Sequence, residues 1–401
     1  IIRHPNFNPR LIAFITDPSR FTGVMPIDYW SYIERTLQNP IDVWDHVFSS
    51  QLTDWSRLTV LLVVFAGGSI DERRLLRCYE SLSSDALVRN YVGDADFDMG
   101  MRVLVGSVLN RRVEGNDVTV TLFNPSIADY VLRKTSKSAL KLSSLMTALF
   151  DIRSLDNFEK LRVNGIVTFA VYVDVIRHLC KTKLTTGSLH PDSVICMAKL
   201  CELAVQHCDV SGQAIPEIHR FVQAVSDLQE CSVYLAAIST LLRYELQNQL
   251  ISNESLARLL EGFDASDLDR EELESVSKIL PLLPSNYQSA LENTLRSAII
   301  DYWQNSIEEE IVERDILGDL FDYEDTSRAE RLMKEELGRI LDDYGIGFTQ
   351  SDHEEILRYF DVGDIINGNI KRASHDGGDD DRGYVDRGTG EIDDLFSFDL
   401  P

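Results

Sequence analysis

Arg111-Arg112-Val113-Glu114-Gly115-Asn116-Asp117-Val118-Thr119-Val120-Thr121-Leu122-Phe123-Asn124-Pro125 is the stretch on which the reading of this chain turns. Val118, Val120 and Leu122 alternate with threonines, the period of a half-buried strand. Gly115-Asn116 is a tight-turn pair, so two short antiparallel strands are expected at 111–114 and 117–123. Asn124-Pro125 stops the second strand and opens a helix expected to run through 132.

Working outward from the hairpin, three helices are expected before it. Thr53 caps the first, 54–66, which is rich in Leu and Val and ends at Gly67-Gly68. Ser69 reads as the cap of a second helix, 71–81, and a third is expected at 99–109. Helix, helix, helix, two-stranded wing, helix is the order of a winged-helix module, placed at 50–135. Further upstream, Asn8 suits a cap and Pro9 the first turn of a short helix ending near Thr16. Two more helices are expected at 28–38 and 41–48.

Beyond residue 136 the periodicity is helical and no strand is expected. Apolar residues recur at helical spacing in 140–150, 158–179, 191–208, 215–228, 232–250, 254–263, 271–280, 287–309, 328–344 and 353–360. No fixed pattern repeats at a constant period, so 136–375 reads as an irregular α-helical array. Residues 376–401 hold nine acidic and two basic side chains with five glycines, and read as a disordered acidic tail. Within that tail, Ile392-Asp393-Asp394-Leu395-Phe396-Ser397-Phe398-Asp399-Leu400 mixes acids with large apolar groups. The fold class is therefore mainly α, with one small β-wing.

Charge narrows the partners. The formal balance over 401 residues is −26, yet residues 1–150 carry 16 basic and 16 acidic groups. The whole excess lies after residue 150, where it repels phosphate backbones, so nucleic acid is an unsuitable partner for 151–401. The best apolar run, 58–68, is too short for a membrane span, which needs about 20 residues. Six cysteines without paired spacing read as reduced thiols of a cytoplasmic protein. Ile1 to Arg10 read as the interior of a domain, with further chain expected upstream.

The motifs of unaided catalysis are missing from this sequence. It has no Gly-x-x-x-x-Gly-Lys-[Ser/Thr] loop, no Gly-x-Gly-x-x-Gly and no Gly-x-Ser-x-Gly. Cys196, Cys201, His207 and Cys208 lack the short paired spacing by which a tetrahedral zinc ion is gripped. Asp264, Asp267 and Asp269 lack the glycine and the alternate spacing of a calcium loop. No catalytic and no metal residue is assigned. In the winged-helix module, Arg73, Arg74 and Arg77 are offset by Asp71, Glu72 and Glu80, without the basic stripe of a DNA reader.

Three segments resemble the STAND class of P-loop NTPases, a branch of the AAA+ group, and in particular its novel STAND subfamily of bacterial conflict and antiviral proteins. His4-Pro5-Asn6-Phe7-Asn8-Pro9-Arg10-Leu11-Ile12-Ala13-Phe14-Ile15-Thr16 is similar to the lid segment that follows the nucleotide-binding core. Pro40-Ile41-Asp42-Val43-Trp44-Asp45-His46-Val47-Phe48, with Gln51-Leu52-Thr53, is similar to the start of the family's winged helix. Phe123-Asn124-Pro125-Ser126-Ile127-Ala128-Asp129-Tyr130 is similar to its end. The resemblance covers about 1–135 and implies lid helices at 1–49, after an NTPase core that holds ATP or ADP with Mg.

It also implies that Pro9 packs near the adenine and that Arg10 senses phosphate, which a guanidinium at a helix start can do in a forked pair. Several relatives place a histidine on the β-phosphate of ADP where this chain has Asn124. Asparagine can donate a hydrogen bond but brings no charge. Asn124 and Ser126 equally suit a plain helix cap.

The expected function is then the regulatory and sensing portion of an ATP-dependent switch in antiviral defence. Its partners would be the upstream NTPase domain, a protein trigger on the helical region and, when active, further copies of itself. A non-enzymatic helical interaction scaffold and a winged-helix DNA-binding regulator are the alternatives.

Overall fold

The computed structural model describes residues 12, 15–18, 23–38, 41–84, 97–184, 189, 193–208, 216–313 and 326–358, with the backbone alone at 41–43, 84, 308–313 and 326–330. Pro9, Arg10 and the acidic tail lie outside the described residues. The chain forms two compact units: Ile1–Asp264 with Glu271–Leu291, and Ala265–Arg270 with Glu292–Pro401.

In the first unit, helix α1 (Tyr29–Gln38) packs Ile33 and Leu37 on Ile15, and Tyr29 donates to the Ile15 carbonyl at 2.9 Å. Helix α2 (Ile41–His46) runs into a π-helical turn, Val47–Gln51. Helix α3 (Asp54–Phe65) is capped by Thr53, whose hydroxyl accepts from the Ser56 amide at 3.2 Å. Its richness in Leu and Val is matched by burial: Val60, Leu62, Val63 and Phe65 are wholly inside.

Strand β1 (Ser69–Asp71), helix α4 (Glu72–Ser84), helix α5 (Phe97–Leu104), strands β2 (Leu109–Glu114) and β3 (Asp117–Leu122), and helix α6 (Ser126–Thr135) follow. The sheet is antiparallel in the order β1-β3-β2, with Val120 opposite both Ile70 and Arg111. The hairpin stands where its sequence placed it, with Gly115 at φ +62° in the turn.

Two local expectations need correction. Residues 69–71 form a strand, where Ser69 was expected to cap a helix. Three residues are too few to show alternation, and the pairing partner, Thr119 to Thr121, lies some fifty residues away. The third helix ends at Leu104, and the fully buried Leu109 opens β2.

Among the described residues every later element is helical: α7 (Ala139–Ala148), α8 (Ile152–Val163), α9 (Phe169–Lys183), α10 (Val194–Cys208), α11 (Pro216–Ser226), α12 (Leu235–Gln247), α13 (Asn253–Leu260), α14 (Arg270–Ser277), α15 (Ser285–Glu313), α16 (Thr326–Asp342) and α17 (Gln350–Ile356). The single helix expected over 158–179 is two, because the chain turns at Gly165, φ +69°. Helix α9 lies between α7 and α10, and α12 lies against α10 and α11.

The second unit is centred on Trp303 of α15, which donates through Nε1 to the Tyr344 hydroxyl at 3.2 Å. Met333, Leu337 and Leu341 of α16 and Ile356 of α17 are also buried there. Arg296 reaches Asp352 at 2.9 Å, and Asp352 closes a capping box with Thr349. Among the described residues no helix is long and apolar enough to cross a membrane.

Candidate functional site

Asn124 is the one residue singled out for nucleotide contact that the structure describes. It is 4% exposed, in the turn between β3 and α6. Its Oδ1 accepts from the Ser126 amide at 2.9 Å and from the Ser126 hydroxyl at 2.6 Å. Its carbonyl accepts from the Ile127 amide at 3.1 Å. This is an Asx turn feeding a helix: the side chain mimics a turn of backbone and satisfies amides that the first helical turn leaves without partners. The Ser126 oxygen in turn accepts from Trp44 Nε1 at 2.8 Å, and Trp44 is fully buried. Trp44 and Ser126, eighty-two residues apart, thus join α2 to the start of α6.

The same junction carries charge. Tyr130 and Lys134, one turn apart on α6, both reach Asp45 Oδ1, at 2.9 and 2.8 Å. The Lys134 and Tyr130 hydrogen bonds hold the Asp45 carboxyl below its ordinary range. Burial, and then Asp45, push the Tyr130 phenol up to about 12. Arg57 of α3 binds the π turn: Nε donates to the Phe48 carbonyl, Nη2 to the Ser49 carbonyl at 3.0 Å, and Nη1 to Asp54 at 2.7 Å. A cavity of about 270 Å³ lies between Phe48, Arg57, Leu61, Tyr130 and Lys134. Both cations that line it are already paired within the fold.

A larger open groove, about 580 Å³, runs between α4, α5 and β2. Leu76, Phe97, Met101 and Val105 make its apolar surface, and Arg73, Arg102 and Arg111 line it. Arg111 is held by Glu72 through two bonds of 2.8 and 2.7 Å. Among the described residues Arg73 and Arg102 have no ion-pair partner.

Arg74, counted in the sequence with the cations of this helix, is spent inside the fold. It donates to the Leu149 carbonyl and the Ser154 hydroxyl, each at 2.9 Å, and pairs with Asp151 at 2.6 Å. No family model, curated protein or solved structure matches this chain.

The structure distributes the cysteine and histidine side chains of α10 differently. Cys201 is in the core, where burial raises its thiol pKa, and Cys196 is pushed by burial up to about 12. His207 faces Glu159 at 3.2 Å and packs edge-on against Tyr172. All six cysteines are free thiols. Among the described residues no group of three or more His, Cys, Asp or Glu side chains converges as a metal site would require. The Trp44–Ser126–Asn124 chain and the Arg57 clamp escaped sequence reasoning. Each links a side chain to a backbone or hydroxyl group, and no residue spacing signals that.

Proposed function

We propose that this chain is the regulatory and sensing portion of a STAND-type ATP-dependent switch acting in antiviral defence. In this reading α3 to α6, within 50–135, are the winged helix, residues 1–49 are the lid, and the later helices receive the trigger. The observation that carries it is the sheet order β1-β3-β2. Strand β1, which the sequence did not announce, pairs with β3 and gives the hairpin a third strand beside the helices, which supports a wing packed on them. The Trp44–Ser126 bond adds a rigid link between the two segments that resemble the start and end of that module.

The nucleotide and Mg would sit on an upstream NTPase core of the same protein, in the cytoplasm. Among the described residues the Asn124 oxygen is taken by Ser126, and a phosphate would be met instead by the Asn124 amide donor. What this chain contributes is coupling. A protein bound to the helical array shifts a population between closed and open arrangements, by no more than its difference in affinity for the two. The open form joins further copies.

The test is whether the reading frame continues upstream into a phosphate-binding loop, and whether the protein that includes it binds ADP. The 401-residue chain alone is expected to hydrolyse no ATP. In the longer protein Arg10→Ala should weaken nucleotide binding by roughly ten- to a hundred-fold, the worth of a charge-assisted pair. An upstream frame without such a loop, or unchanged binding in Arg10→Ala, overturns this reading in favour of the interaction scaffold, which the groove lined by Arg73 and Arg102 favours. The DNA-regulator reading is the weaker one, since Arg74 is internal and α5 holds a single basic residue, Arg102.

A further inference from the structure

Glu245, near the end of α12, is fully buried, and its Oε2 lies 2.8 Å from Nδ1 of His219 in the first turn of α11. Its other oxygen, Oε1, has no hydrogen-bond partner. A carboxylate in the last turn of a helix and a cation in the first turn both oppose the helix dipole. We propose that His219 and Glu245 form a proton-dependent latch between α11 and α12, closed while the pair holds one proton and weakened when it holds none.

The argument is a proton count. With one proton, the pair is a neutral acid against an imidazole or a carboxylate against an imidazolium; either satisfies the contact. Without it, a carboxylate is left in the interior facing a neutral ring, a costly state. Burial raises the Glu245 carboxyl above its ordinary value, and His219 opposes this only in part.

Other charges on the surrounding elements are engaged elsewhere. Arg220 of α11 pairs with Glu217, Arg258 of α13 with Asp227 and Glu254, and Lys199 of α10 with Asp156 and Glu202. His207 of α10 faces Glu159, Arg243 stands two residues from Glu245 on α12, and His219 is the group that acts on the Glu245 charge.

The sign follows. A folded-state pKa raised above the unfolded value gives stability that is present at low pH and lost as pH rises through the folded value. The Glu245 carboxyl is raised from an ordinary 4.5, so the loss falls on the alkaline side of that value.

Half of the His219 side chain is in reach of water, with 42% exposed, so protons exchange without unfolding. Hydrogen exchange of the full chain between about pH 5 and 8, corrected for intrinsic rates, tests the latch. Protection over 216–226 and 235–247 should fall by up to about tenfold per pH unit, the limit for one proton, with α3 unaffected. E245Q, and the apolar pair H219L/E245M, should abolish that dependence. Flat protection in the wild type, or an unchanged slope in either variant, overturns the proposal. Should neither variant fold, the wild-type profile decides.

Discussion

Replacing Asn124 by alanine separates a capping role from a ligand role. The substitution removes the acceptor of two hydrogen bonds, from the Ser126 amide at 2.9 Å and the Ser126 hydroxyl at 2.6 Å. Both groups belong to a residue only 7% exposed, so water does not readily replace the acceptor. A buried donor left without a partner costs about 1–3 kcal/mol, and loss of a cap about 1 kcal/mol. The hydroxyl can rotate to another partner, so the Ser126 amide bond, which is itself the cap, sets the scale at about 1–3 kcal/mol. At about 2 °C per kcal/mol for a large domain, the midpoint should drop by roughly 2–6 °C.

Asn124→Asp keeps the acceptor and adds a negative charge at a helix start, worth about 0.3–1 kcal/mol. It should therefore hold the wild-type midpoint to within about 2 °C on that scale. Thermal unfolding followed by tryptophan fluorescence is the assay, because Trp44 sits on the same chain of bonds. An alanine variant within about 0.5 kcal/mol of wild type would refute the capping account. So would an aspartate variant as unstable as the alanine one. A loss of ADP affinity in the longer protein with Asn124→Asp, at unchanged stability, would instead mark a phosphate contact.

Arg74→Ala should cost about 2 kcal/mol by urea unfolding, since it removes a charge-assisted pair with Asp151 and two bonds into the α7–α8 turn; Arg74→Lys should recover less than half, because an ammonium lacks the fork. Wild-type unfolding midpoints at several salt concentrations should barely move with this pair, which is largely shielded from solvent, and a strong salt dependence lost in Arg74→Ala would contradict that. Glu159 should make the fold acid-sensitive. Burial works against its charge, but hydrogen bonding from Arg162 and the charges of His207 and Arg162 hold its carboxyl at about 2, below the ordinary 4.5. The Tyr172 hydroxyl lies close by without a hydrogen bond of standard geometry, so Arg162 carries the weight. A depressed pKa gives stability that is present above 4.5 and lost as pH falls towards 2. Melting of Glu159→Gln between pH 5 and 3 should be flatter than that of wild type, and equal slopes would remove Glu159 from the account.

The sequence by itself determined the local elements. Alternation in 118–122 and the Gly115-Asn116 pair specify the hairpin, because period two and a left-handed turn are properties of a few neighbouring residues. The long helices were legible for the same reason: an apolar face repeats every three to four residues wherever it packs. Charge placement could be counted from the sequence too. The tertiary structure alone decided what depends on residues far apart. Strand β1 exists because β3 offers its free edge to residues 69–71. Arg74 serves the interior because Leu149, Ser154 and Asp151 come round to meet it. The Asn124 oxygen meets Ser126, and Ser126 meets Trp44, eighty-two residues away in the sequence. His219 and Glu245, twenty-six residues apart, carry no spacing signal at all. Burial and pairing are properties of the packed core, and the core assembles only when helices distant in sequence come together.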